Sequence, residues 1–395
     1  MRRPRGWAVP NRALSCAPRS GLPCQLRPGD VSQLTQLTAD LVRIDSVNPD
    51  LVPGGAGEGE IAKFVAGWLE EAGLGIETEE IAPGRFNVVG IARGSGGGRS
   101  LLLNAHMDTV GTAGMEAPLE PRAADGRLYG RGAYDMKASL AAIMLTGAGA
   151  VAAGLRGDVI VTAVCDEEVG SIGSEAAARR YAADGAIVAE PTEERLAVAH
   201  RGFAWIEIET RGRAAHGSRY DLGKDAIARM GEVLVRLTAL HEELRGRVPH
   251  RFLGTGSAHA SLIEGGTELS TYPDRCVLQA ERRTLPGETE ADIAAEAGAL
   301  LGDLEGSARV TFFREPFEVV EDHEFVGLVR RHAGDPELIG VPFWADSALF
   351  AATGIPTVVY GPKGEGAHAA VEWVDVASAE RCADVYARVA ADFCA

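Results

Sequence analysis

A few side chains in this sequence could together hold divalent cations: His106, Asp135, the adjacent pair Glu167 and Glu168, Glu190 and His368. Each lies at or near the end of an apolar or β-branched run. His106 closes the run Leu101-Leu-Leu-Asn-Ala-His106, and Asp108 follows two residues later. In extended geometry residues i and i+2 point to one side. A carboxylate there can hold one imidazole nitrogen and leave the other free for a metal. The same pair would also serve as a half-buried histidine satisfied by an aspartate. Asp135 sits where strand or loop becomes helix, so it is a ligand or a helix N-cap. Carboxylates crowded at one edge repel one another, and their pKa values rise unless a cation is present. Zinc accepts both imidazole nitrogen and carboxylate oxygen. Two metals roughly 3.5–4 Å apart can share a carboxylate and activate a water.

The elements that would position these groups alternate. Amphipathic spacing predicts helices over 31–44 and 60–72, with Gly73 as C-cap. Strands are expected over 75–81, 87–91 and from 101 to the His106 motif. A buried helix follows over 136–150, then a strand over 158–165, a helix over 174–183 and a strand over 185–189. This pattern makes a mostly parallel α/β sheet, whose binding crevice lies outside the carboxyl ends of its strands. From residue 202 the pattern changes. Strands over 203–211, 258–264, 275–283 and 308–313 and helices over 225–244 and 288–302 give the order β-α-β-β-α-β of the ferredoxin-like split motif. An inserted α+β domain over 202–314 is therefore expected, within a catalytic domain made of 30–201 and 315–395. After it, helices are expected over 323–332, 346–353 and 376–393, and a strand over 357–360.

A chain of 395 residues suits two domains. Residues 1–29 hold six arginines, five prolines and no acid, without the apolar core of a secretory signal. They read as a disordered or non-native extension, or as a transit peptide. The net charge of −17 argues against nucleic acid as a main partner. No apolar run was expected to be long enough to span a membrane. The six cysteines show no paired spacing, which favours a reduced, cytoplasmic protein.

Several spaced motifs occur in order: Leu103-Asn-Ala-His-Met-Asp-Thr-Val110, Gly130-Arg-Gly-Ala-Tyr-Asp-Met-Lys137, Asp166-Glu-Glu-Val-Gly170, Ala189-Glu-Pro-Thr192, Ala215-His-Gly-Ser218 and Gly366-Ala-His368. With them the chain resembles the M20 family of metallopeptidases and amidohydrolases, the group of acetylornithine deacetylase, succinyl-diaminopimelate desuccinylase, aminoacylase and glutamate carboxypeptidase. The resemblance implies a zinc-exopeptidase-like fold whose insert acts as lid or dimerisation domain. It implies two zinc ions per chain, replaceable by cobalt or manganese. Asp135 would bridge them. His106 and Glu190 would complete one site, and Glu168 and His368 the other. Glu167 would be the general base, and Asp108 would orient His106. His216, in the insert, would be a further donor to the oxyanion, from the same subunit or a dimer partner.

Arg283 matches the position of a family arginine that binds a substrate carboxylate, a task suited to a guanidinium. Where many relatives carry asparagine, this chain has Ser270, in Ser270-Thr-Tyr-Pro273. Gly265 and Gly266 fit either a close backbone approach to ligand or a plain turn. The implied reaction is removal of an acyl group from a small N-acyl amino acid, as in acetylornithine deacetylase. The alternative is an exopeptidase on small peptides. A non-catalytic binding member would be expected to lack ligands or base, and all of them are present.

Overall fold

The computed structural model describes residues 32–395, and the extension expected over 1–29 lies outside them. Its contacts divide into two compact units. The first comprises residues 32–198, 319–338 and 345–395, the second 199–318 and 339–344.

The first unit is built on a mixed sheet. Its strands run in the order Gly75–Ala82, Arg85–Ala92, Val159–Val164, Leu101–His106, Gly185–Val188, Thr357–Val359 and Leu196–His200. The middle four are parallel, with antiparallel neighbours on both sides. Every residue of Leu101–His106 and Val159–Val164 is buried. This is why both read as continuous apolar runs without alternation. Each fully buried leucine or valine contributes roughly 1.5–3 kcal/mol.

Helix Ala138–Ala153 packs on these strands and against helices Gln33–Val42 and Val376–Phe393. Helices Ile172–Arg180 and Ser347–Ala352 pack on each other and on the sheet. One expectation is corrected here. Residues Ala133–Ala153 are long and apolar enough to cross a membrane by length and composition. Their surroundings account for the composition: 78% of that window is buried inside the protein.

A smaller antiparallel sheet, Gly364–Glu365, Trp373–Asp375, Arg127–Tyr129 and Arg122–Ala124, lies in what reads in the sequence as loop. It fixes the hairpin carrying His368 beside the turn carrying Asp135.

The second unit runs strand Gly202–Arg211, helix Ala226–Gly246, strands Ser257–Gly265 and Arg275–Thr284, helix Glu290–Leu301 and strand Gly306–Arg314. Its antiparallel sheet has the order Ser257–Gly265, Arg275–Thr284, Gly202–Arg211, Gly306–Arg314. Alternate residues Ala204, Ile206 and Ile208 enter a core with Met230, Val233, Leu278 and Ile293. Residues 339–344, which the sequence pattern assigns to the catalytic domain, cluster here instead. The Trp344 ring meets Phe203, and a Cβ at Gly340 would sit 2.5 Å from Leu253.

Candidate metal centre

Four parallel strands deliver their carboxyl ends to one edge, and the expected ligands gather there. His106, the last residue of its strand, has Nε2 3.2 Å from Asp135 Oδ1 and 3.8 Å from Glu190 Oε1. His368 has Nε2 3.0 Å from Glu168 Oε2 and 3.5 Å from Asp135 Oδ2. Two triads result, His106–Asp135–Glu190 and Asp135–Glu168–His368, with the candidate ligand atoms of each within 4.8 Å of one another. Asp135 belongs to both and turns one oxygen to each.

Local backbone explains how each side chain gets there. Asp135 has φ −117° and ψ 93° and lies outside the helix, which begins at Ala138. It does not cap that helix, so the N-cap alternative falls. Gly132, at φ +76°, makes the preceding turn; a Cβ there would lie 2.8 Å from Thr109 Cγ2. Asp166 adopts φ +66° just after its strand, which lets the neighbours Glu167 and Glu168 leave the sheet in different directions. His368 is itself left-handed, at φ +62°.

Asp108 differs from expectation. His106 Nδ1 meets the main-chain carbonyl of Asp108 at 2.9 Å, while the Asp108 carboxylate stands 3.7 Å away. A carbonyl can only accept, so it fixes the proton on Nδ1 and leaves Nε2 as the free ligand nitrogen. The carboxylate serves the acidic pair instead. Its Oδ1 accepts from the Glu167 N–H at 3.1 Å, and its Oδ2 from the Glu168 N–H at 3.2 Å and Asn48 Nδ2 at 2.8 Å. The i, i+2 rule fails because the strand ends at His106.

Beneath this turn lies a buried polar network. Asn48 also donates to Asp166 at 3.1 Å. Arg85 donates to both oxygens of Glu58 at 2.8 Å and to Asp166 at 2.9 Å, and also contacts Asp50. Asp346, buried at the start of its short helix, accepts from Ser174 at 2.6 Å and Asn104 at 3.3 Å. Burial pushes its carboxyl up to about 6 against these hydrogen bonds. Sequence reasoning missed Asn48, Glu58, Arg85, Asp346 and Glu372. Asn48-Pro49 reads only as a helix break, and the others carry no local signal.

The electrostatics of the edge are those of a site short of positive charge. Burial, then the neighbouring Glu190 charge, holds Glu167 well above the usual carboxylate range. Burial likewise raises Glu190, against the pull of His106, and Glu168, against its hydrogen bond from His368. Burial would raise Asp135 too, but hydrogen bonds from His106 and His368 hold it below its ordinary value. Burial disfavours a charged His106, yet Asp135 and the other acids keep it well above its usual value. Hydrogen bonds to Asp135 and Glu168 raise His368 to about 10. The raised proton affinities mark a place where a divalent cation would relieve the crowded negative charge. Among the described residues, Glu168 Oε1 and Glu190 Oε1 are buried without a hydrogen-bond partner. Buried acceptors are rarely left so, and nitrogen and carboxylate oxygen are donors that zinc accepts. The residues fit two metal ions.

A profile of peptidase family M20/M25/M40 matches residues 102–392. The chain belongs to this family. This M20 protein is 31% identical over 350 residues to an acetylornithine deacetylase of Myxococcus xanthus, covering 82% of this chain and 90% of that enzyme. It is 32% identical over 286 residues to an N-formyl-4-amino-5-aminomethyl-2-methylpyrimidine deformylase of Bacillus subtilis, covering 67% of this chain and 66% of that one. Its fold matches a tripeptidase of Staphylococcus aureus with TM-score 0.73 at 21% identity, covering 92% of this chain and 98% of that one. A metallo-carboxypeptidase of Sulfolobus solfataricus matches with TM-score 0.74 at 16% identity, covering 91% and 98%. The protein is a hydrolase of the M20 type.

The remaining expected residues belong to the second unit. His216 is exposed on the two-residue strand Ala215–His216, which pairs with Thr271–Tyr272, and Ser270 accepts the Gly217 N–H at 2.6 Å. The Ser218 N–H donates to His216 Nδ1 at 3.2 Å. Arg283 donates through Nε to Glu281 at 2.6 Å, and its guanidinium lies over the Phe203 ring. Gly265 has a packing reason for being glycine. A Cβ there would lie 2.9 Å from Cys276 Sγ and 3.1 Å from Ile227.

Proposed function

We propose that this M20 protein is a two-zinc amidohydrolase that removes the acyl group from a small N-acyl amino acid, in the manner of acetylornithine deacetylase. The observation that carries the reading is Asp135, shared between two His-carboxylate triads whose glutamates each keep a buried oxygen unpartnered. His106, Asp135 and Glu190 would hold one ion, and Asp135, Glu168 and His368 the other. When bound, such ions supply Lewis acidity and lower the pKa of water.

The residues of the chain supply the rest. Glu167, at the same edge but outside both triads, accepts a proton from the attacking water. Water oxygen bonds to the amide carbon, the C–N bond breaks, and Glu167 returns the proton to the leaving nitrogen. A carboxylate whose burial raises its proton affinity suits that exchange. His216 would donate to the oxyanion: with Nδ1 accepting from Ser218, a neutral imidazole carries its proton on Nε2. Arg283 would bind the substrate carboxylate, and Ser270 would line the same subsite.

Full-length deacetylase relatives near 30% identity favour deacylation over exopeptidase action on small peptides. Initial rates on N-acetyl, N-formyl and N-succinyl amino acids and on dipeptides test this. Cleavage of peptides alone would hand the assignment to the exopeptidase reading. The same reading takes residues 202–314 as a lid and dimerisation insert. Its strand Ser257–Gly265, an edge of the sheet among the described residues, exposes Leu262 and Ile263, which favours pairing with a second copy. Free, buried Cys165, Cys276, Cys382 and Cys394 favour the cytoplasm.

A further inference from the structure

Glu372 lies in none of the strand-end motifs, yet its carboxylate is wholly committed to the turn that carries Asp135. Its Oε1 accepts the main-chain N–H groups of Tyr134 at 2.9 Å and Asp135 at 3.0 Å. Its Oε2 accepts the Gly132 N–H at 2.9 Å and Arg131 Nη1 at 2.8 Å. These four donors fill the acceptor sites of a carboxylate. The side chain is buried, so water does not compete for it. The main chain runs the same way, with the Gly130 N–H on the Glu372 carbonyl at 3.2 Å. Arg131 extends the connection, donating to Gly111 O at 3.1 Å and Ala369 O at 3.0 Å.

The geometry has a specific result. Asp135 has non-helical φ and ψ inside the single turn Ala133–Lys137 and lies in no strand, so no regular ladder holds its backbone. Glu372 takes that place. It also sits four residues beyond His368, on the hairpin closed by Gly364–Glu365 and Trp373–Asp375. One side chain therefore fixes the shared carboxylate against the segment bearing the last histidine.

We propose that Glu372 is a positioning residue of the metal centre, holding Asp135 in register with His368 so that both cation sites depend on a carboxylate that binds neither ion. The proposal rests on the two-cation reading above. Partners that orient metal ligands typically account for about 10–100-fold in metal affinity.

The test is calorimetric titration of metal-free protein with zinc, together with its thermal unfolding midpoint. Glu372→Gln should weaken both binding events by about 10–100-fold. Glu365→Gln, exposed on the same hairpin, should match wild type. A Glu372→Gln protein that unfolds earlier but binds zinc with wild-type affinities overturns the proposal. Should that variant not fold, Arg131→Lys serves. It keeps a cation opposite Glu372 but loses the reach to Gly111 and Ala369, and unchanged zinc affinities there are equally fatal. Wild-type protein that binds no zinc would instead remove the metal centre itself.

Discussion

Replacing Asp108 with asparagine separates two accounts of this residue. If its carboxylate oriented the His106 imidazole, the ion held by His106 would loosen. In the structure the carboxylate instead receives the Glu167 and Glu168 N–H groups and Asn48. Asparagine would turn an NH2 toward one of these donors, removing one charge-assisted hydrogen bond and leaving a buried donor unpaired. Such a loss costs about 1.5–3 kcal/mol, equivalent to about 10- to 150-fold in rate or affinity. The decisive assay is zinc affinity in two single-site backgrounds. In His368→Ala protein, which keeps His106, Asp135 and Glu190, adding Asp108→Asn should leave the affinity within a few fold. In His106→Ala protein, where Glu168 is a ligand of the remaining ion, it should lower the affinity by that 10- to 150-fold. A full loss in the His368→Ala background would refute the assignment of the carboxylate to the acidic pair.

Other expectations follow from the same geometry. Glu167→Gln should keep two zinc ions per chain but lower kcat by about 10²–10⁴-fold; retained turnover would take Glu167 out of the proton transfer. His216→Ala should lower kcat by about 10²–10³-fold with little change in zinc affinity, and an unchanged kcat would end its role as a donor. Without metal, the neighbouring carboxylates raise the proton affinity of both His106 and His368, and a protonated imidazole must lose its proton to bind a cation. Zinc binding should therefore release protons and weaken as pH falls. Calorimetry in buffers of differing ionisation enthalpy measures the release, and none at all would contradict the assigned ligands.

Much of the centre is legible in the sequence because His106, the Glu167–Glu168 pair and Glu190 each close or follow an apolar or β-branched run, and a buried parallel strand leaves that mark. Helix Ala138–Ala153 and strand Val159–Val164 were legible for the same reason. What was not legible is the support. Glu372 meets Asp135 across 237 residues and Arg85 meets Asp166 across 81, distances over which periodicity carries no information. The role of Asp108 was hidden because main-chain donors leave no trace in residue types. The pieces Arg127–Tyr129 and Trp373–Asp375 are three residues each, too short for alternation to be read. Leu196–His200 is a buried strand that follows closely on the Glu190 turn, where only a connection was expected.

Strand Thr357–Val359 lies between Gly185–Val188 and Leu196–His200, although more than 150 residues separate it from either in the chain. During synthesis on the ribosome, the first half of the sheet therefore waits with a hydrogen-bonding edge unfilled. The second half of the metal centre is missing over the same interval, because His368 and Glu372 emerge later still. Closure of the sheet and completion of the Asp135–Glu168–His368 triad therefore both wait on residues 357–368.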